Sequence, residues 1–110
     1  MHVSDQSGKE RRKWPRVNAA LWVEELHGDD IFFRRTRDIG MGGAYFEQAV
    51  GHPAGTPLVL RIGVPGQHQP IDVHAEVVSS GANAEGLGMR VKFISVAQEQ
   101  ETRLREFFAL

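Results

Sequence analysis

Ile71, Val73, Ala75 and Val77 alternate with Asp72, His74 and Glu76, and this period of two constrains the chain more than any other feature. Only a strand sends successive side chains to opposite faces, so a segment patterned this way lies half-buried in a sheet, apolar side inward. The same period recurs. Val17, Ala19, Leu21 and Val23 stand against Asn18, Ala20, Trp22 and Glu24; Leu58, Leu60, Ile62 and Val64 against Val59, Arg61 and Gly63. Leu87, Met89, Val91 and Phe93 form one face of a last strand beginning at Gly86. Turn formers His27-Gly28-Asp29-Asp30 return the chain into a strand from Ile31 to Arg37, and a short strand runs from Ala44 to Glu47. Ser79 to Glu85 reads as a polar loop.

The period then changes. Leu104, Phe107 and Phe108 fall at i, i+3 and i+4, the apolar face of a helix running to about Ala109, with Ser95 as N-cap and Gln98 completing a capping box. About six strands at hairpin spacing followed by one helix predict a mainly β fold. The expected architecture is a six-stranded antiparallel β-barrel with a C-terminal α-helix over one open end.

A chain of 110 residues is one domain with a single core. Residues 1–10 are polar and aperiodic, so they are expected to be a disordered tail, and 11–110 the folded domain. No apolar run approaches the roughly 18 residues of a membrane span, and the N-terminus has no apolar h-region. The absence of cysteine excludes a disulfide framework and thiolate chemistry. A cytoplasmic protein without membrane insertion is expected.

Net charge is −1, yet eight of the 13 basic residues (Lys9, Arg11, Arg12, Lys13, Arg16, Arg34, Arg35 and Arg37) lie in the first third. One basic region on a near-neutral protein suits a compact anionic ligand better than DNA or RNA, which require many phosphate contacts. Arg11-Arg12-Lys13-Trp14-Pro15-Arg16 is an extended basic arm, since Pro15 opposes a helix there. About 20 residues later comes Arg37-Asp38-Ile39-Gly40-Met41-Gly42-Gly43, whose three glycines allow positive φ, close approach of a ligand to backbone, and anion capture by N–H groups. Read alone, this is a tight turn between two strands.

Enzyme chemistry is hard to find. The histidines, His2, His27, His52, His68 and His74, lack metal-ligand spacing; Asp72 and Glu76 read as a solvated strand face, and Ser79-Ser80 has no nucleophile elbow. No enzyme and no cofactor is expected.

Taken together and in this order, Arg12-x-x-x-Arg16 and Asp38-x-Gly40-x-x-Gly43 resemble the two motifs of the PilZ domain family. The ending Gly86-Leu-Gly-Met-Arg-Val-Lys-Phe-Ile before a Glu/Arg-rich helix is also typical of that family, so the likeness covers about residues 11–110. The resemblance implies a barrel that binds cyclic di-GMP. By that implication Arg12 and Arg16 grip phosphate and the guanine O6/N7 edge, Asp38 accepts from guanine N1–H and N2–H₂, and the backbone at Gly40 and Gly43 lets the ligand come close. Arg11 resembles an extra arginine that favours an intercalated ligand dimer. The implied receptor orders its arm on the ligand and signals to an effector protein that the sequence does not name.

Gly40 stands where the family usually has Ser. Loss of one neutral hydrogen bond costs about 0.5–1.5 kcal/mol, against about 1.5–3 kcal/mol for each charge-assisted contact, so binding should weaken and survive. The alternative is a PilZ-like interaction adaptor that does not bind the nucleotide. A second rival is a small-barrel single-stranded nucleic-acid binder using Trp14, Trp22, Phe32 and Phe33 as stacking platforms.

Overall fold

The computed structural model describes residues 16–83 and 86–108. Among them are seven strands and a helix: β1 Arg16–Val17, β2 Trp22–His27, β3 Asp30–Gly40, β4 Gly43–Glu47, β5 Pro57–Ile62, β6 Ile71–Asn83, β7 Gly86–Ser95 and α1 Gln98–Phe108. The strands pair antiparallel in the order β3-β2-β5-β6-β7-β4, and β4 returns to β3, closing a six-stranded barrel. The short β1 pairs separately with the end of β3, Arg16 opposite Gly40 and Val17 opposite Ile39.

The apolar faces read from the sequence line the barrel, except that Val17 and Leu87 are exposed. Leu58, Leu60, Ile62, Val64, Ile71, Val73, Ala75, Val77, Met89 and Val91 are all buried, around Phe46 and Ile39. Leu104 of α1 is buried against this core, with Phe107 and Phe108 packed beside it. Gln67 ties the β5–β6 loop to α1 through reciprocal bonds with Arg103: Arg103 Nε donates to Gln67 Oε1 at 2.8 Å and Gln67 Nε2 to the Arg103 carbonyl at 3.1 Å. No helix among the described residues is long and apolar enough to cross a membrane.

Four expectations are corrected. The strand expected from Val17 is interrupted at 18–21, because the Thr36 hydroxyl replaces the ladder there. It accepts from Leu21 N–H at 2.8 Å and donates to the Ala19 carbonyl at 2.5 Å. The expected Ser79–Glu85 loop is instead largely strand: β6 runs on to Asn83, pairing Ser79 with Arg90 and Ala82 with Leu87. Exposed on both faces from Ser79 to Ala82, that stretch carries no alternation to read. Ser95 closes β7 and is no helix cap; the first helical bond runs from Glu101 N–H to the Ala97 carbonyl. Finally, Asp38 and Gly40 belong to β3 and not to a turn, which shrinks to Met41-Gly42.

At the barrel end away from α1, the segment after β4 crosses over the core. Gln48, at φ 51°, turns the chain out of the sheet, and His52 then meets the fully buried Glu25 carboxylate. Arg34 Nε donates to the other oxygen of Glu25 at 2.8 Å. Glu25 points inward in phase with Leu21 and Val23, so its charge is tolerable only because both oxygens are engaged.

Candidate functional site

Strand β3 changes phase where the site begins. Thr36 pairs with Phe46 and Asp38 with Tyr45, so Arg37 is an extra residue, a β-bulge. Regular alternation from the buried Thr36 would turn Asp38 into the core; the bulge turns it outward and restores Ile39 to the interior. Gly40 follows on the outward phase, and Arg16, directly opposite it on β1, projects from the same face as Asp38. The structure therefore brings Arg16, Asp38 and Gly40 together on one side of the barrel end. Arg11 and Arg12 lie outside the described residues.

The Asp38 carboxylate is held by a residue that sequence reasoning missed. Arg90 Nη1 donates to Oδ1 at 2.8 Å and Nη2 to Oδ2 at 3.2 Å, a bidentate pair with side chains 25% and 16% exposed. Register explains the meeting: Asp38, Tyr45 and Arg90 face one another in a row across β3, β4 and β7. The Arg90 guanidinium lies 5.0 Å from the Tyr45 ring centre, and that of Arg37 lies 5.9 Å from it. Tyr45 in turn lies over Gly88, where a Cβ would stand 1.8 Å from the phenol oxygen. The signal for Arg90 was its outward phase in the last strand, but only the β4–β7 pairing shows that this phase meets Asp38.

The turn glycines work differently from expectation. Positive φ occurs at Gly28, Gly55, Gly66, Gly81 and Gly86 among the described residues, and at none of the three turn glycines. Gly43 is required by close approach of chain to chain: a Cβ there would lie 2.3 Å from the Val91 carbonyl oxygen of β7. The Gly42 carbonyl accepts from Phe93 N–H at 2.8 Å, so β7 grips the turn on this side. Met41 at its tip lines a recess with Phe93, Val96 and Glu101, which puts the site and α1 at the same end of the barrel.

A bulged strand aiming one carboxylate outward on the same face as Arg16 is an arrangement that sequence comparison can place. The profile of the PilZ domain family matches residues 10–110. The chain belongs to the PilZ domain family. Solved PilZ structures share its fold at low identity. The PilZ domain of Escherichia coli YcgR with c-di-GMP superposes with a TM-score of 0.66 at 18% identity, covering 91% of each chain. The PilZ domain of CeSA from a cellulose-synthesizing bacterium gives 0.66 at 22%, covering 86% of this chain and 96% of that one. The Bacillus subtilis inhibitor of motility MotI/DgrA gives 0.76 at 20%, over 88% of this chain and 48% of its own, so this PilZ domain spans about half of that protein. No curated protein sequence matches the chain.

Proposed function

We propose that this PilZ domain is a bacterial, cytoplasmic receptor for cyclic di-GMP with no enzymatic activity of its own, passing its signal to an effector protein. The observation that carries the reading is the bulge at Arg37, which sets the Asp38 carboxylate on the same outer face as Arg16. A carboxylate has about four lone-pair sites, and the bidentate Arg90 uses two of them. Two remain for guanine N1–H and N2–H₂. Arg90 is in this reading a positioning residue: it fixes the plane of Asp38 before the base arrives. Arg12 and Arg16 supply the charge-assisted contacts to phosphate and to the guanine O6/N7 edge, and Arg11 adds a further cation. Met41, next to Gly40, shares a recess with Glu101 of α1, a route by which a partner surface would sense the ligand.

Titration calorimetry with cyclic di-GMP tests this directly. Binding at tens of micromolar protein or below is expected, with most affinity lost in Arg12→Ala and Arg16→Ala; Asp38→Ala weakens binding and relaxes the preference for guanine. Absence of heat would favour the second reading, an adaptor that does not bind the nucleotide, which Gly40 and the engaged state of Asp38 support.

A further inference from the structure

We infer that the chain forms a symmetric dimer by pairing the edge of β3, residues 30–34, with the same edge of a second copy. The edge is open because β3 outruns its neighbour. It pairs with β2 from Asp30 to Arg35, but β4 joins its other side only from Arg35 onward and then leaves the sheet at Gln48. Among the described residues no strand covers 30–34 on that side.

Hydrogen-bond phase identifies which groups face outward. Thr36 N–H donates to the Leu21 carbonyl at 3.0 Å, so the backbones of residues 36, 34, 32 and 30 point towards β2. Those of Ile31 and Phe33 therefore point to the open side. The same two residues carry exposed apolar side chains on the outer face, Ile31 at 54% and Phe33 at 72%, with Trp22 at 64% diagonally adjacent on β2. Open edges in natural sheets are guarded by Lys, Pro or short length. Asp-Ile-Phe-Phe-Arg has no such guard at its centre.

The occupant follows from the sequence of the edge itself. Antiparallel self-pairing about Phe32 puts Ile31 opposite Phe33 of the second copy, and Asp30 opposite its Arg34. Ile31 and Phe33 are the residues whose N–H and C=O groups are presented, so both such pairs are hydrogen-bonded. No two like charges face each other. Moving the centre to Phe33 would set Ile31 against Arg35, already paired with Glu47, and moving it to Ile31 would run into the Gly28-Asp29 turn. Centring on Phe32 thus uses the whole open edge. Acidic Glu24 and Asp72 alternate with Arg35 and Arg61 around the patch, which suits a like, near-neutral partner and not a polyanion. Four main-chain bonds and a small apolar patch belong to the weak, transient class of interface.

Engineered disulfides read the register, since the chain has no cysteine of its own. A hydrogen-bonded antiparallel pair has Cα atoms about 5.5 Å apart, within disulfide range. Residues 31 and 33 of different copies meet at that distance, whereas 33 and 33, or 31 and 31, are separated by about 8 Å, beyond reach. Under mild oxidation, an equimolar mixture of Ile31→Cys and Phe33→Cys chains should give a cross-linked heterodimer, and neither chain alone a homodimer. Wild-type protein should show a monomer–dimer equilibrium by sedimentation, with a midpoint on the order of 10–100 µM. Phe33→Lys should raise that midpoint at least about tenfold while leaving the circular dichroism and thermal unfolding of the monomer unchanged. A wild-type monomer up to about 1 mM would overturn the proposal, as would cross-linking in the single-cysteine chains equal to that in the mixture.

Discussion

Asp38 is the residue on which the candidate site turns, and its setting yields two predictions. Both carboxylate oxygens are held by Arg90, whose own position rests on Tyr45 lying over Gly88. If Arg90 aims the carboxylate, Arg90→Ala should weaken cyclic di-GMP binding by about tenfold, near 1.4 kcal/mol, without unfolding the barrel. Arg90→Lys should recover only part of the loss, because an ammonium cannot reproduce the planar fork. Tighter binding in Arg90→Ala would instead show that the pair shields Asp38 from the ligand. Gly40 gives the complementary test. It is not held at positive φ, and it takes the outward phase opposite Arg16, so a side chain there meets no backbone strain. Gly40→Ser should restore one hydrogen bond and tighten binding by roughly 2- to 12-fold in calorimetry. A large loss would mean that the space beside Gly40 is needed bare.

At the scale of elements, Thr36 decides how β1, β2 and β3 share the barrel wall. Its hydroxyl serves Leu21 N–H and the Ala19 carbonyl where the ladder is broken, and the bulge at Arg37 follows immediately. Thr36→Val keeps the shape and removes the hydroxyl, stranding two main-chain groups; a loss of about 2 kcal/mol in urea unfolding is expected, with Thr36→Ser recovering most of it. Equal stability of the Val and Ser variants would show that water takes over the hydroxyl's role. The same region shows what a sequence can disclose. Alternation placed Leu58 to Val64, Ile71 to Val77 and, in β7, Met89 and Val91 on the inside, because burial on one side writes a local period of two, while Leu87, read on the same face, is exposed. The bulge was hidden: it shows only as two buried residues three apart, Thr36 and Ile39, in a stretch whose glycines suggested a turn. Arg90 was hidden for another reason, since its meeting with Asp38 depends on which strands become neighbours across more than 50 residues. Asp38 and Arg16 themselves were candidates because the two motifs that contain them resemble those of a known family, and the structure sets them on one face.

Across the whole molecule the two barrel ends are closed by unlike means. One end carries α1 through apolar packing of Leu104, Phe107 and Phe108, next to the candidate site. The other is closed by charge: Glu25, fully buried, lies between Arg34 and His52, while His52 also stacks on His27 with ring centres 4.7 Å apart. A buried ion pair contributes little net stability when complete, yet removing one partner leaves an uncompensated charge. Arg34→Met should therefore cost about 3–5 kcal/mol in denaturant unfolding. Adding Glu25→Leu to that variant should return most of the loss, since the pair as a whole is replaceable by apolar volume. Additive losses would mean that Glu25 contributes through His52 and the covering loop more than through Arg34. Because this cluster sits at the end opposite Asp38, the folded double variant should bind cyclic di-GMP with wild-type affinity. A parallel loss of affinity would show that the two ends of the barrel are energetically coupled.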